Sequence, residues 1–226
     1  MRPHDITVGR GLSYRSSASS VVDFKLSGLT TMGYKERLKE ILCQKSVKRG
    51  DFVLASGQKS NYYIDGKLTT LDPEGALCTG MVFLDLIRIL PTYPKAIGGL
   101  TLGADPIVPV VAALSYQQGG QPIAGFLVRK EPKTHGTKQY IEGWRGEPGD
   151  PVVIVDEHCT TGGSTITAIE RAENAGYEVI AAICLVDRGA KGSREDIEKY
   201  CPFYSLFTAD ELLKASEEAA LHSRAS

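Results

Sequence analysis

Two unbroken aliphatic runs constrain the fold more than anything else in the chain: PVVIVDE, residues 151–157, and EVIAAICLVDR, residues 178–188. A strand with one wet face alternates apolar and polar side chains, so a run that is apolar at both parities must be covered on both sides. Between the two runs, residues 164–175 have helical spacing and Gly176 is placed to end the helix. The alternation continues upstream. Residues 96–103, AIGGLTLG, read as a strand entering a tight turn; a helix begins near Pro106; residues 122–130, PIAGFLVRK, form the next strand. Over residues 71–90 a helix is signalled by Asp72 as cap, Pro73 in the first turn and Glu74 at the positive end of the dipole. Leu38, Ile41 and Leu42 share one face of a short helix that ends before Gly50. FVLASGQKSNYYID, residues 52–65, reads as strand, Ser-Gly turn, strand, and residues 131–150 as a polar stretch. SREDIEKY, FYSLF and ADELLKASEEAALH close the chain as helix, strand and helix. The expected fold is α/β, a mostly parallel sheet flanked by helices, with a small N-terminal hood.

Composition narrows the partners. With 42% hydrophobic and 23% charged residues the chain can bury a core, and a net charge of −1 gives no bulk attraction to nucleic acid or to an anionic membrane. No apolar run reaches the roughly 18 residues a membrane span needs. The five cysteines form no C-x-x-C pair, which points away from a zinc or disulfide framework and towards a reducing, cytoplasmic setting. Cys159 reads as a small loop residue rather than a reactive thiol. Residues 1–31 include SYRSSASS. A transit peptide has such a composition, but Asp5 and Asp23 interrupt it, and a disordered extension ahead of a domain at 32–226 is the expectation.

The end of the first aliphatic run carries chemistry. In VVIVDEHCTTGGST, residues 152–165, two acids are followed by Thr160, Thr161, Gly162, Gly163 and Ser164 at the start of a helix. A helix start exposes unpaired N–H groups and the positive end of a dipole, and glycines let the backbone approach an anion closely. Asp156 and Glu157 would repel a bare phosphate. They suit vicinal sugar hydroxyls and a positive charge developing on the ring, so the segment fits a ribose 5-phosphate.

This stretch resembles the 5-phosphoribosyl-1-pyrophosphate (PRPP) binding signature of type I phosphoribosyltransferases. Three others resemble the orotate-specific branch. LVRKEPKTHGTKQYIEG, residues 127–143, is similar to its mobile catalytic loop, with Arg129, Lys130, Lys133 and His135 among the cations. FVLASGQKSNYYID is similar to its substrate entry, where Tyr63 and Ile64 match positions that contact the base; Ala55 stands where many relatives carry Lys, and Lys59 lies four residues on. In LVDRGAKG, residues 185–192, Arg188 matches the residue that takes the orotate carboxylate, with pairing to Asp187 as the alternative. GGLTLGADPI, residues 98–107, resembles a loop whose backbone near Leu102, Gly103 and Ala104 meets pyrophosphate.

The resemblance implies transfer of a ribose phosphate from PRPP to orotate, giving orotidine 5'-monophosphate and pyrophosphate in UMP synthesis. It implies that Lys133 and His135 act on the pyrophosphate with Arg129 and Lys130 nearby, and that Asp156 and Glu157 serve the ribose. It places the phosphate on Thr160, Thr161, Gly162, Gly163 and Ser164, and orotate against Tyr63, Ile64, Thr160 and Arg188. It further implies Mg²⁺ held mainly by substrate, without dedicated protein ligands, and a homodimer with shared active sites. A transferase for another base, or a non-catalytic PRPP-sensing regulator, are the alternatives.

Overall fold

The computed structural model describes residues 31–53, 59–132 and 139–225. Residues 1–30, Ala55 and the 133–138 segment bearing Lys133 and His135 lie outside the described residues, so the expectations made for them have no structural counterpart here.

Helix α1, Thr31–Ile41, buries Tyr34, Leu38 and Ile41 and passes through a π-helical turn, Leu42–Ser46, whose Leu42 is also buried. The next strand, β1 (Val47–Val53), starts five residues earlier than the sequence suggests. Residues 47–50, VKRG, show no apolar alternation; pairing with the antiparallel β2, Lys59–Ile64, makes them a strand. This hairpin is the expected N-terminal hood. One helical turn, α2 (Lys67–Thr70), follows and leads into α3, Pro73–Arg88. There the capping signals hold as read: Asp72 accepts the Gly75 N–H at 3.0 Å and Pro73 occupies the first turn.

The main sheet has six strands: β3 (Ala96–Leu100), β4 (Ala124–Val128), β5 (Ile141–Gly143), β6 (Pro151–Cys159), β7 (Glu178–Asp187) and β8 (Phe203–Thr208). Their order is β5-β4-β3-β6-β7-β8, parallel throughout except for β5, which pairs antiparallel to β4 at the edge. β5 falls inside the expected polar stretch; three residues are too few to show a period, and β4 supplies the ladder. Helix α4, Ile107–Gln117, covers one face, bringing Val108 and Ala112 over Gly125. Helix α5, Gly163–Asn174, covers the other, packing Ala168, Ile169 and Ala172 with Val152, Ile154 and Phe126. Covered on both sides, β6 and β7 are buried almost throughout, as their aliphatic runs require. Helices α6 (Ser193–Ile197) and α7 (Ala209–Ala225) complete the chain.

The order reverses between β3 and β6. β3 leads to β4 on one side, and the chain then crosses to β6 on the other, so the connections leave in opposite directions and open a crevice at the carboxyl ends. Register makes it visible. β6 is paired to β3 only as far as Gly98 opposite Ile154, yet stays paired to β7 out to Cys159 opposite Asp187. Asp156 and Glu157 lie on the stretch of β6 that β3 has already left.

Candidate active site

Consecutive residues of a strand point to opposite faces, and the two acids diverge accordingly. Asp156 turns towards the loop after β3. A Cβ on Gly103 would stand 2.2 Å from Asp156 Oδ1, so this approach exists only because residue 103 lacks a side chain. Oδ1 accepts the Glu157 N–H at 2.8 Å. Asp156 is 7% exposed, and burial pushes its carboxyl up to about 6, against the pull of that N–H and of His158. It is a hard oxygen donor whose charge lacks a cationic partner hydrogen-bonded to it among the described residues.

Glu157 turns beneath α2. Its Oε2 accepts from Lys67 Nζ at 2.7 Å, its Oε1 from Thr70 Oγ1 at 2.9 Å, and His158 Nδ1 lies 3.4 Å from Oε2. A Cβ on Gly66 would meet Glu157 Cγ at 2.7 Å and His158 Cε1 at 2.8 Å. Burial would raise the Glu157 carboxyl, but His158 and Lys67 outweigh it and hold the group below its ordinary range. Two glycines on separate loops thus make room for two acids with opposite electrostatics. The sequence presented Asp156 and Glu157 as a matched pair; in the ligand-free fold one is strained by burial and the other is satisfied.

The cradle follows at once. Gly162 has φ +80° and caps α5 in the left-handed region, where a side chain would be strained and would also crowd Ile197. Its carbonyl accepts the Ile166 N–H at 2.8 Å. Thr160, Thr161, Gly163 and Ser164 are exposed, with the first N–H groups of α5 free of intrahelical partners. Cys159, one residue before, is 1% exposed and burial pushes its thiol up to about 11, which leaves it inert at neutral pH.

At the end of β7, Asp187 is engaged by the Gly189 N–H at 2.9 Å and lies 3.6 Å from Arg194. The Arg188–Asp187 pairing weighed from sequence is therefore not formed. The Arg188 guanidinium lies 5.5 Å from the centre of the Tyr62 ring, which joins the hood to the carboxyl end of the sheet. Tyr63 is 39% exposed beside Phe52, whereas the Ile64 side chain is buried. Arg129 donates to Glu142 and to the Glu131 carbonyl, each at 3.2 Å, and Lys130 is exposed.

Sequence reasoning missed Lys67, Thr70, His158 and Gly66. Lys67 and Thr70 are three residues apart and share one side of a helical turn, but nothing in DGKLTT shows that a glutamate 90 residues on lies opposite.

The chain is similar to proteins of one family. A phosphoribosyl transferase domain family matches residues 116–208. An orotate phosphoribosyltransferase of Nostoc sp. is 44% identical over 184 residues, covering 81% of this chain and 87% of the relative. One from Synechocystis sp. is 44% identical over 197 residues, covering 85% and 96%. The crystal structure of Mycobacterium tuberculosis orotate phosphoribosyltransferase in complex with 5-phospho-alpha-D-ribosyl 1-diphosphate has a TM-score of 0.65 at 30% identity, covering 79% of this chain and 98% of that one.

Proposed function

Because the chain belongs to the orotate phosphoribosyltransferase family, we propose that it transfers the ribose phosphate of PRPP to orotate, releasing pyrophosphate and forming orotidine 5'-monophosphate for pyrimidine biosynthesis. The observation that carries this reading is the crevice between β3 and β6, where a buried Asp156, without a hydrogen-bonded cation among the described residues, adjoins an exposed glycine-capped helix start.

The 5'-phosphate sits on the backbone of Thr160, Thr161, Gly162, Gly163 and Ser164, where aligned N–H groups and the α5 dipole favour an anion. Asp156 accepts from a ribose hydroxyl, which relieves the strain of its burial, and Glu157 joins it by exchanging Lys67 or Thr70 for the sugar. The C1–pyrophosphate bond then breaks ahead of the bond from orotate N1 to C1, its electron pair leaving with pyrophosphate and the N1 proton passing to water. Asp156 faces the positive charge that grows on the ring, in a site already organised before the reaction. Backbone around Leu102, Gly103 and Ala104, with Arg129, Lys130, Lys133 and His135, receives the departing pyrophosphate. Arg188 holds the orotate carboxylate as a planar fork, and Tyr63 and the main chain of Ile64 border the base.

Mg²⁺ fits this set. It prefers one or two carboxylates together with substrate oxygens, and Asp156 is such a carboxylate beside the position of the ribose. When bound, it supplies charge neutralisation for the leaving pyrophosphate. The catalytic domain spans residues 32–226, the enzyme is a cytoplasmic homodimer, and the loop within residues 127–143 of one subunit completes its neighbour's site.

The direct test is loss of orotate absorbance on adding PRPP and Mg²⁺, with uracil, hypoxanthine and xanthine in parallel. Consumption of orotate alone is expected. Turnover of a purine instead would replace the orotate assignment, and PRPP binding without turnover of any base would favour the sensing role.

A further inference from the structure

A cavity of about 600 Å³ opens at the far end of α5, away from the crevice, lined in part by Tyr140, Arg145, Arg171, Asn174 and Tyr177. It is separate from the phosphate cradle: Arg171 is eight residues beyond Gly163, or about 12 Å along the helix axis. Among the described residues its lining contains two guanidinium groups and no carboxylate. The carboxyl end of a helix repels anions, so attraction for one rests on Arg145 and Arg171, while the nearby Asp150 carboxylate behind Gly146 is paired with Lys95.

Arg171 also holds both ends of the segment that carries Lys133 and His135. Its Nη1 donates to the Arg129 carbonyl, at the exit from β4, and its guanidinium stacks 4.1 Å from the centre of the Tyr140 ring, at the entry to β5. The Arg129 N–H in turn donates to the Tyr140 carbonyl at 2.8 Å. An anion drawn to Arg171 turns the guanidinium that holds the Arg129 carbonyl and so loosens that hold.

We propose that this cavity is a second anion site, for a phosphorylated small molecule of nucleotide size, and that its occupancy alters PRPP affinity through Arg171. The volume exceeds what a bare phosphate needs and falls in the ordinary range for small-ligand sites. Tyr140 and Tyr177 offer apolar walls, and Asn174 offers an amide for an organic body. The binding claim is independent of the orotate reading; the coupling claim rests on it.

Trp144 provides the readout. It is the only tryptophan in the chain, and its ring lies 5.4 Å from that of Tyr177, on the cavity wall. Its fluorescence would be titrated with inorganic phosphate, adenosine 5'-monophosphate and adenosine, in the parent protein and in Arg145→Glu. In the parent, both phosphate-bearing probes should give a saturable change, with the nucleotide binding more tightly and adenosine giving none. Arg145→Glu should weaken both by about tenfold or more, the loss expected for a charge-assisted hydrogen bond, while its kcat and KM in anion-free buffer stay at parental values. Identical titrations in the two proteins, or no change in either, would overturn the site. Binding of adenosine as tight as its monophosphate would overturn the anion requirement, and phosphate binding as tight as the nucleotide would overturn the nucleotide-sized ligand. For the coupling, adenosine monophosphate should shift PRPP affinity by about fivefold in the parent. Arg171→Lys, which keeps the charge and loses the fork, should bind the nucleotide without that shift; an equal shift in this variant would sink the route through Arg171.

Discussion

Asp156 carries a stability penalty that only its function explains. The carboxyl is raised by burial to about 6 in the folded protein, from 3.8 in the open chain. Between those values the folded state holds a proton the unfolded chain has released, so stability falls as pH rises through this window and the full penalty is present above pH 6. Asp156→Asn, which keeps the oxygen that accepts the Glu157 N–H, should stabilise the ligand-free protein by about 1–3 kcal/mol at pH 7.5. The gain should shrink towards zero near pH 4 in a denaturant series, and transfer activity should drop by roughly 100-fold or more. An equal gain at both pH values would mean that ionisation is not the cause. Gly103 is the complementary case. Gly103→Ala places a methyl 2.2 Å from Asp156 Oδ1, which forces the carboxylate aside, and should raise the KM for PRPP by about tenfold or more through misplacement, with thermal stability little changed. An unchanged KM would detach Asp156 from sugar binding.

At the scale of elements, α2 decides whether Glu157 is held. This one turn connects the hood to α3 and contributes Lys67 and Thr70 to a carboxylate on the central strand. Lys67→Met leaves Glu157 with Thr70 and His158 alone. Because Lys67 is itself partly exposed, the loss is discounted from that of a fully buried pair to about 1–3 kcal/mol at pH 7. Glu157 is held below its ordinary range, so its contribution is present above its unfolded pKa and fades as pH falls through the folded one. The difference between parent and Lys67→Met in urea unfolding should therefore narrow below about pH 4; a constant difference would assign Lys67 a packing role only. Much at this scale was legible beforehand. Capping at Asp72 and the unbroken strands β6 and β7 follow from local chemistry. The strand at 47–50, the turn α2 and the short β5 do not, because each exists through a partner distant in sequence.

For the whole molecule, the shared-site dimer makes a quantitative prediction. Lys133→Ala and Asp156→Ala proteins, each inactive alone, should recover about a quarter of parental activity when subunits exchange at equal concentration. Half of the dimers are then mixed, and each mixed dimer has one intact site. No recovery after exchange, verified by differently tagged subunits in one dimer, would confine the site to a single chain. The fold places the crevice where a parallel sheet reverses its strand order, and strands that alternate with helices along the chain already imply such a sheet.

The sequence by itself determined the two-sided burial of the central strands, the helix start that can hold a phosphate, and the pair of acids beside it. These are local properties, set by side-chain parity, by backbone groups a helix leaves unpaired, and by residue order. Only the tertiary structure decided that Asp156 and Glu157 are unequal. Their charges depend on what lies within a few ångströms, and Gly103, Gly66, Lys67 and Thr70 arrive there from loops and turns far along the chain, brought by the packing of the hood and of β3 against the same strand.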